Sequence, residues 1–245
     1  KAIAAALLAG EHKAILLGNG AAHHPDASAL LALGQWIGEQ TGATVGYLTE
    51  AANTVGAQLV GALPGEGGLN AAQMLGGGLK AALLLNCEPG PDTAGRALTG
   101  CDMVVTLSPF KANLDVSDVL LPIAPFTETS GTFVNAEGRV QSFHAVVRPL
   151  GEARPAWKVL RVLADLLGVT QAPFDSSQEV LAQALGAAAL AEIAGDRLNN
   201  RTSASASVPA DSAAVPVVGI YQLDGIMRRA PALQLTADAR EGASA

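Results

Sequence analysis

VSDVLLPIAPFTETSGTFVNAEGRVQSFHAVVRPLG, residues 116–151, changes character along its length, and that change decides the fold. An apolar strand at Val119-Leu120-Leu121-Pro122 runs into the polar turn Thr127-Glu128-Thr129-Ser130-Gly131. A hairpin pattern then spans Thr132 to Gln141, with Asn135 opening the turn and Gly138 at the position that needs a positive φ. Upstream of this stretch the chain alternates strands with helices; downstream it becomes hairpin, loop and helix.

Working back from Val119, apolar runs predict strands over residues 12–17, 43–48, 80–85 and 103–107. Between them, residues 26–40 carry a helical apolar pattern at Leu30, Leu33 and Ile37, closed by Gly42. Shorter helices are expected over 53–63 and 70–75, the second capped by Asn70. Strands alternating with helices predict an α/β fold: a parallel sheet with helices on both faces, three layers deep. Working forward, a helix is expected over 155–167 with Pro155 in its first turn, and another over 178–193 behind the capping box Ser176-Ser177-Gln178-Glu179. The expected organisation is an α/β domain over 1–125, a hairpin and helical portion over 126–200, a Ser/Ala/Pro linker over 201–216 and a docking tail over 217–245. The tail is expected to pack in an extended groove of this domain or of a neighbouring subunit, with its last ten residues unordered.

The order of strand, acidic turn, G-T-F-V-N, E-G-R-V-Q and then G-E-A-R-P before a helix resembles the molybdopterin-oxidoreductase superfamily. Within it, the chain resembles the large iron–sulfur subunit of bacterial NADH:quinone oxidoreductase (respiratory complex I). That resemblance covers about residues 10–170 and returns in GIYQLDGIMRRAPALQ at 219–234. It implies an NADH dehydrogenase (quinone), in which electrons pass from NADH to quinone through a respiratory complex. The implied iron–sulfur clusters are held by N-terminal cysteine motifs that do not occur in this sequence, so no cofactor is expected in this part. The implied partners are the N-terminal part of the same subunit and other peripheral-arm subunits. The implied location is the cytoplasmic side of the inner membrane, peripheral and held through those partners. The chain begins at Lys1 with what reads as the end of a helix under way, so a piece of a longer protein is expected.

Composition narrows the alternatives. The net charge of −7, with Lys and Arg scattered except for Arg228-Arg229, argues against nucleic acid or an anionic membrane surface as a partner. No apolar run reaches the roughly 18 residues of a membrane span. Hydrophobic residues make up 49% of the chain and aromatics only 4%, so small side chains, tightly packed, must form the core. Cys87 and Cys101 are the only cysteines, and a reduced cytosolic setting accounts for them most simply.

Candidate chemistry is sparse. Gly18-Asn19-Gly20 follows a strand and precedes a helix, where backbone N–H groups can cradle a pyrophosphate. The third glycine of the dinucleotide fingerprint is replaced by His23, however, and only Glu50 stands near the end of the second strand. A glycine loop that eases strand-to-helix packing is the plainer reading. Asn86-Cys87-Glu88-Pro89 ends the third strand, where open α/β sheets bind ligands. In molybdopterin enzymes a similar strand-end stretch helps hold the guanine dinucleotide. Glu88 departs from that pattern, because a carboxylate beside phosphates is unfavourable without cations, and none lies nearby in sequence.

His12, His23, His24 and His144 have no metal-ligand spacing with the cysteines, so no metal site is expected. No nucleophile has an evident base, and no residue is assigned a catalytic role. Glu128 is expected to accept backbone N–H bonds and set the turn after it. Arg139 and Arg148 are expected to pair with Glu137 and Glu152, and Trp36 and Trp157 to anchor helix faces in the core or at an interface. Two functions follow from the resemblance. One is a cofactor-free structural and assembly module of the electron-transfer subunit. The other is part of an oxidoreductase dependent on molybdopterin guanine dinucleotide, such as a formate dehydrogenase relative, with Gly18, Gly20, Asn86 and Glu88 near the cofactor.

Overall fold

The computed structural model describes residues 1–93, 95–169, 174–186, 198–209 and 219–242. Its described residues fall into two units. The first comprises Lys1–Leu59, Phe133–Val140 and the described part of Ala191–Val217; the second comprises Val60–Thr132, Gln141–Leu190 in its described parts, and the described part of Val218–Ala245. The region expected as one α/β domain over 1–125 therefore contributes strands to both units.

In the first unit, α1 (Ala2–Ala9) leads to β1 (Ala14–Leu17), a short α2 (Asn19–Ala22), α3 (Ala27–Thr41), β2 (Thr44–Tyr47) and α4 (Thr54–Leu59). β1 and β2 are parallel, with Ala14 opposite Thr44 and Leu17 opposite Tyr47. α3 ends where expected, at Gly42, whose φ of 72° closes the helix in the left-handed conformation. Its buried face consists of Ala32, Gly34 and Gly38. These small residues let the helix approach its sheet closely. A Cβ at Gly34 would lie 3.7 Å from Leu17, whereas one at Gly38 would lie 2.6 Å from Val45 and 2.9 Å from the Ala43 carbonyl oxygen. Trp36 lies off that face and is 53% exposed, so it is not a core anchor of this unit.

In the second unit, the full capping box at Asn70 and Gln73 starts α5 (Ala71–Met74), with both reciprocal bonds at 2.9 Å. β3 (Ala81–Leu85), β4 (Met103–Ser108) and β5 (Val119–Pro122) follow and form one parallel sheet in the order β3-β4-β5. The central strand is the core: Val104, Thr106, Leu107 and Ser108 are buried, and Leu107 is 0% exposed. Buried polar groups on β4 are matched by the segment before β5. Thr106 Oγ1 and Ser117 Oγ are 2.7 Å apart, and Val104 N donates to the Asp118 carboxylate at 2.7 Å.

After β5, a 3-10 turn at Phe126–Glu128 leads to the hairpin of β6 (Gly131–Val134) and β7 (Val140–Phe143). The turn is built as its sequence demands. Asn135 Oδ1 accepts from Glu137 N and Arg139 N, and Gly138 has φ 83°. The hairpin tip belongs to the first unit, where Asn53 Oδ1 accepts from Val134 N at 2.9 Å. α6 (Ala156–Leu167) begins at Pro155 and ends at Gly168. α7 (Ser177–Leu185) is capped by Ser176, which accepts from Glu179 N; the Glu179 carboxylate reaches back to Asp175 N, one residue earlier than a full capping box requires. The helix expected to run to 193 ends at Leu185, where Gly186 at φ 82° breaks it; residues 187–193 and the second half of the expected linker lie outside the described residues.

The tail is helical over most of its described part. Past a 3-10 turn at Ile220–Gln222 it forms three short helices, α8 (Gly225–Arg228), α9 (Pro231–Gln234) and α10 (Ala237–Gly242). Gln234 ties α9 to the 3-10 turn and α8 by donating to the carbonyls of Tyr221 and Met227 and accepting from Gln222. The last ten residues, expected to be unordered, include α10 with Ala239 buried.

Candidate functional site

The strand-end turn after β3 is built from backbone conformations that few residues adopt. Asn86 has φ 48° and Gly90 φ 103°, which turns the chain sharply away from the sheet. The turn satisfies its own donors. Asn86 N bonds Leu107 O at 2.8 Å, Glu88 N bonds Asp92 Oδ2 at 2.7 Å, and Gly90 N bonds Thr93 Oγ1 at 2.7 Å. Asn113, itself at φ 56°, donates its side-chain amide to Cys87 O at 2.9 Å and fixes the turn from the far end of β4.

Two cations from the tail close on this turn. Arg229 grips Glu88 with both terminal nitrogens, Nη1 to Oε1 at 2.7 Å and Nη2 to Oε2 at 3.1 Å. Arg228 takes Asp92 Oδ1 at 2.7 Å and stands 3.5 Å from Glu88 Oε1. The inner pair is largely shielded, with side chains 12% exposed at Arg228 and 17% at Glu88. The Arg229 guanidinium also lies 4.3 Å from the Phe110 ring centre, a cation–π stack. Gly225 makes the approach possible, since a Cβ there would sit 2.9 Å from Glu88 Oε1. Within the tail, Asp224 caps α8 through Ile226 N, and the carbonyls of Gln222 and Gly225 accept from Arg228 and Arg229. The expectation that Glu88 has no cation near it is therefore overturned. Its partners are remote in sequence but adjacent in space.

Electrostatics follow from this geometry. Burial works to raise the Glu88 pKa, but the hydrogen bonds and charges of Arg229 and Arg228 outweigh it and hold the carboxyl below its ordinary value. Burial pushes the Cys87 thiol up, helped by Asp92 and Glu88 and opposed by Arg228, so the group is a poor nucleophile at neutral pH. Both cysteines are free.

A molybdopterin dinucleotide presents a pyrophosphate, which needs unpaired N–H donors or unengaged cations. Here the N–H groups of Asn86, Glu88 and Gly90 are already bonded, both arginines are paired with carboxylates, and Glu88 itself stands at the strand end. The residues of this turn do not fit that group.

The other expected loop, at Gly18 and Gly20, belongs to the first unit. Gly18 O accepts from Ala21 N and Ala22 N, so the loop closes into the four-residue α2. Beside it, His23 Nε2 and Glu50 Oε2 lie 2.9 Å apart at the rim of a cavity of about 560 Å³ that Tyr47, Thr49 and Gln58 also line. Burial raises the Tyr47 pKa. Both His23 and Glu50 stand out in the sequence, but nothing in their spacing pairs them.

The remaining expectations divide. Glu128 does accept a backbone N–H, but from Leu150 at 3.0 Å and not from the turn that follows it. Glu152 lies 3.5 Å from Arg154, not beside Arg148. Trp157 is half-buried and, with Arg148, Arg154 and Lys158, lines an open groove of about 480 Å³. Among the described residues, no group of three or more His, Cys, Asp or Glu side chains could hold a metal ion.

This mixed α/β architecture with parallel strands agrees with a family match: residues 1–166 match the molybdopterin oxidoreductase family, and the chain belongs to it. Particular relatives are similar over shorter stretches. The chain is 45% identical over 64 residues to the mitochondrial NADH-ubiquinone oxidoreductase 78 kDa subunit of Candida albicans, covering 26% of this chain and 9% of that protein. It is 47% identical over 60 residues to the corresponding Neurospora crassa subunit, covering 24% and 8%. A putative formate dehydrogenase of Staphylococcus aureus is 44% identical over 52 residues, covering 21% and 5%. The matched stretches thus span at most 9% of these relatives' own length.

Proposed function

We propose that this chain is a structural and docking module of the large iron–sulfur subunit of an NADH:quinone oxidoreductase, and that it carries no cofactor or catalytic residue of its own. The observation that supports this reading best is the paired strand end. Glu88, Asp92, Arg228 and Arg229 neutralise one another where a cofactor-binding member of the family needs open donors. Similarity to two NADH-ubiquinone oxidoreductase 78 kDa subunits points the same way. In the proposed setting, iron–sulfur clusters reside in the N-terminal part of that subunit, and electrons pass from NADH to quinone elsewhere in the complex. Exposed Val146, Leu150, Leu166 and Val169 in the second unit offer apolar surface for peripheral-arm partners. Attachment is peripheral, on the cytoplasmic side of the inner membrane; among the described residues no helix is long and apolar enough to cross a membrane.

A second reading, part of an oxidoreductase dependent on molybdopterin guanine dinucleotide, draws on the similarity to the putative formate dehydrogenase. One experiment separates the two: iron, molybdenum, tungsten and released pterin are quantified in the intact parent protein. Iron without the other three supports the structural module. Stoichiometric molybdenum or tungsten with pterin overturns it.

A further inference from the structure

We propose that the turn after β3 is a receptor for a two-arginine peptide segment, filled in this chain by Arg228 and Arg229 of its own tail. The receptor has separable parts. Glu88 and Asp92 sit four positions apart in a turn whose shape is fixed from within by the Glu88 N to Asp92 Oδ2 bond at 2.7 Å. The Asp92 carboxylate, held through Oδ2, therefore presents its other oxygen to an incoming guanidinium without first having to be ordered. Glu88 offers both oxygens to one arginine, a geometry that matches a planar guanidinium and not an ammonium. The Phe110 ring, 4.3 Å from the centre of the Arg229 guanidinium, supplies a face for the same group to stack on. Specificity for adjacent arginines follows. The first guanidinium bridges Asp92 and Glu88, and the second is clamped between Glu88 and the ring.

The occupant is equally specialised. Asp224 caps α8 so that both arginines leave its last turn, and Gly225 keeps the helix start free of a side chain that would strike Glu88. Arg228 and Arg229 also donate to the Gln222 and Gly225 carbonyls, which helps hold their direction in the docked arrangement. The interaction is thus a ligand held in cis, joined to its receptor by a long intervening chain. It holds whether or not the parent protein carries a pterin.

The test uses the full chain and a fluorescein-labelled peptide of residues 219–242 added in trans, read by fluorescence anisotropy. In the R228A/R229A chain the receptor is vacated, and the peptide is expected to bind at least tenfold more tightly than to the wild-type chain. Adding E88Q/D92N to that variant is expected to remove the gain. Equal binding to wild type and R228A/R229A, or binding indifferent to E88Q/D92N, overturns the proposal. Should R228A/R229A lose its native circular dichroism, the near-isosteric E88Q/D92N chain carries the test alone. Tryptic cleavage after Arg229 is then expected to be about tenfold faster than in wild type, and an unchanged rate overturns the proposal.

Discussion

The two parallel sheets start from similar sequence and end in different states. β1 reads AILL and β3 reads AALLL, yet the β1–β2 pair has no buried residue, whereas β4, flanked by β3 and β5, has a buried run from Thr106 to Ser108. The difference lies in what covers them. A central strand is protected on both edges by neighbours, while a two-stranded ribbon depends on the helices laid across it. Their strand ends differ as well. The second unit's turn is ion-paired to the tail, and the first unit's loop stands beside a cavity with the His23–Glu50 pair at its rim. Apolar sequence therefore marks a strand, and the number of its neighbours decides how much stability the strand contributes.

The comparison breaks most readily at Leu107. Leu107→Ala removes a fully buried side chain from the central strand and is expected to cost about 2–5 kcal/mol in denaturant unfolding. A loss below about 1 kcal/mol would mean that β4 is no better covered than β1. In the first unit the tight point is helix-to-sheet. Gly38→Ala is expected to destabilise by about 1–3 kcal/mol, because the rigid Ala43 carbonyl blocks the new methyl and outweighs the helix-propensity gain. Gly34→Ala, which meets only ordinary contacts, is the control and is expected to be neutral or slightly stabilising.

Acid tests the second unit's strand end. Glu88 has a folded pKa below its ordinary value of 4.5, so its contribution is complete above that value and is lost as pH falls through the lower one. NMR titration of the Glu88 carboxyl carbon should give a midpoint under 4.5, with tail amides moving at the same midpoint. A midpoint at or above that value would mean burial prevails over the two arginines. The smallest effect is expected at Leu16, already 58% exposed, where Leu16→Ala should change stability by less than about 1 kcal/mol. A larger loss would show the ribbon to be better covered than its exposure implies.

Local signals are the ones the sequence carries. Gly42 and Gly168 end helices, Asn70 caps one and Gly138 turns the hairpin because each acts on backbone within a few residues. Side-chain partners are less legible. Glu128 meets Leu150 N and Glu152 meets Arg154, since several donors lie within reach and only the folded chain chooses among them. Trp36 is expected to anchor a helix face in the core or at an interface; the glycine and alanine face of α3 takes the sheet, so the ring is not in the core. The Glu88 partners are the largest omission. Arg228-Arg229 stands out as the one adjacent Lys/Arg pair in an acidic chain, and charge alone could have nominated it; no periodicity links positions 136 to 141 residues apart.

That separation has a consequence for how the chain is made. Glu88 and Asp92 leave the ribosome first, and Arg228 follows Asp92 by 136 residues. At roughly 5–20 residues per second, the carboxylates wait roughly 7–27 s for their partners. β4 and β5 emerge early in that interval, so the sheet can form while its strand end still carries bare negative charge and an uncovered Phe110 ring. Arrival of the tail removes both features together. A product that stops short of Gly225 keeps them, and its surface therefore records that synthesis was not finished.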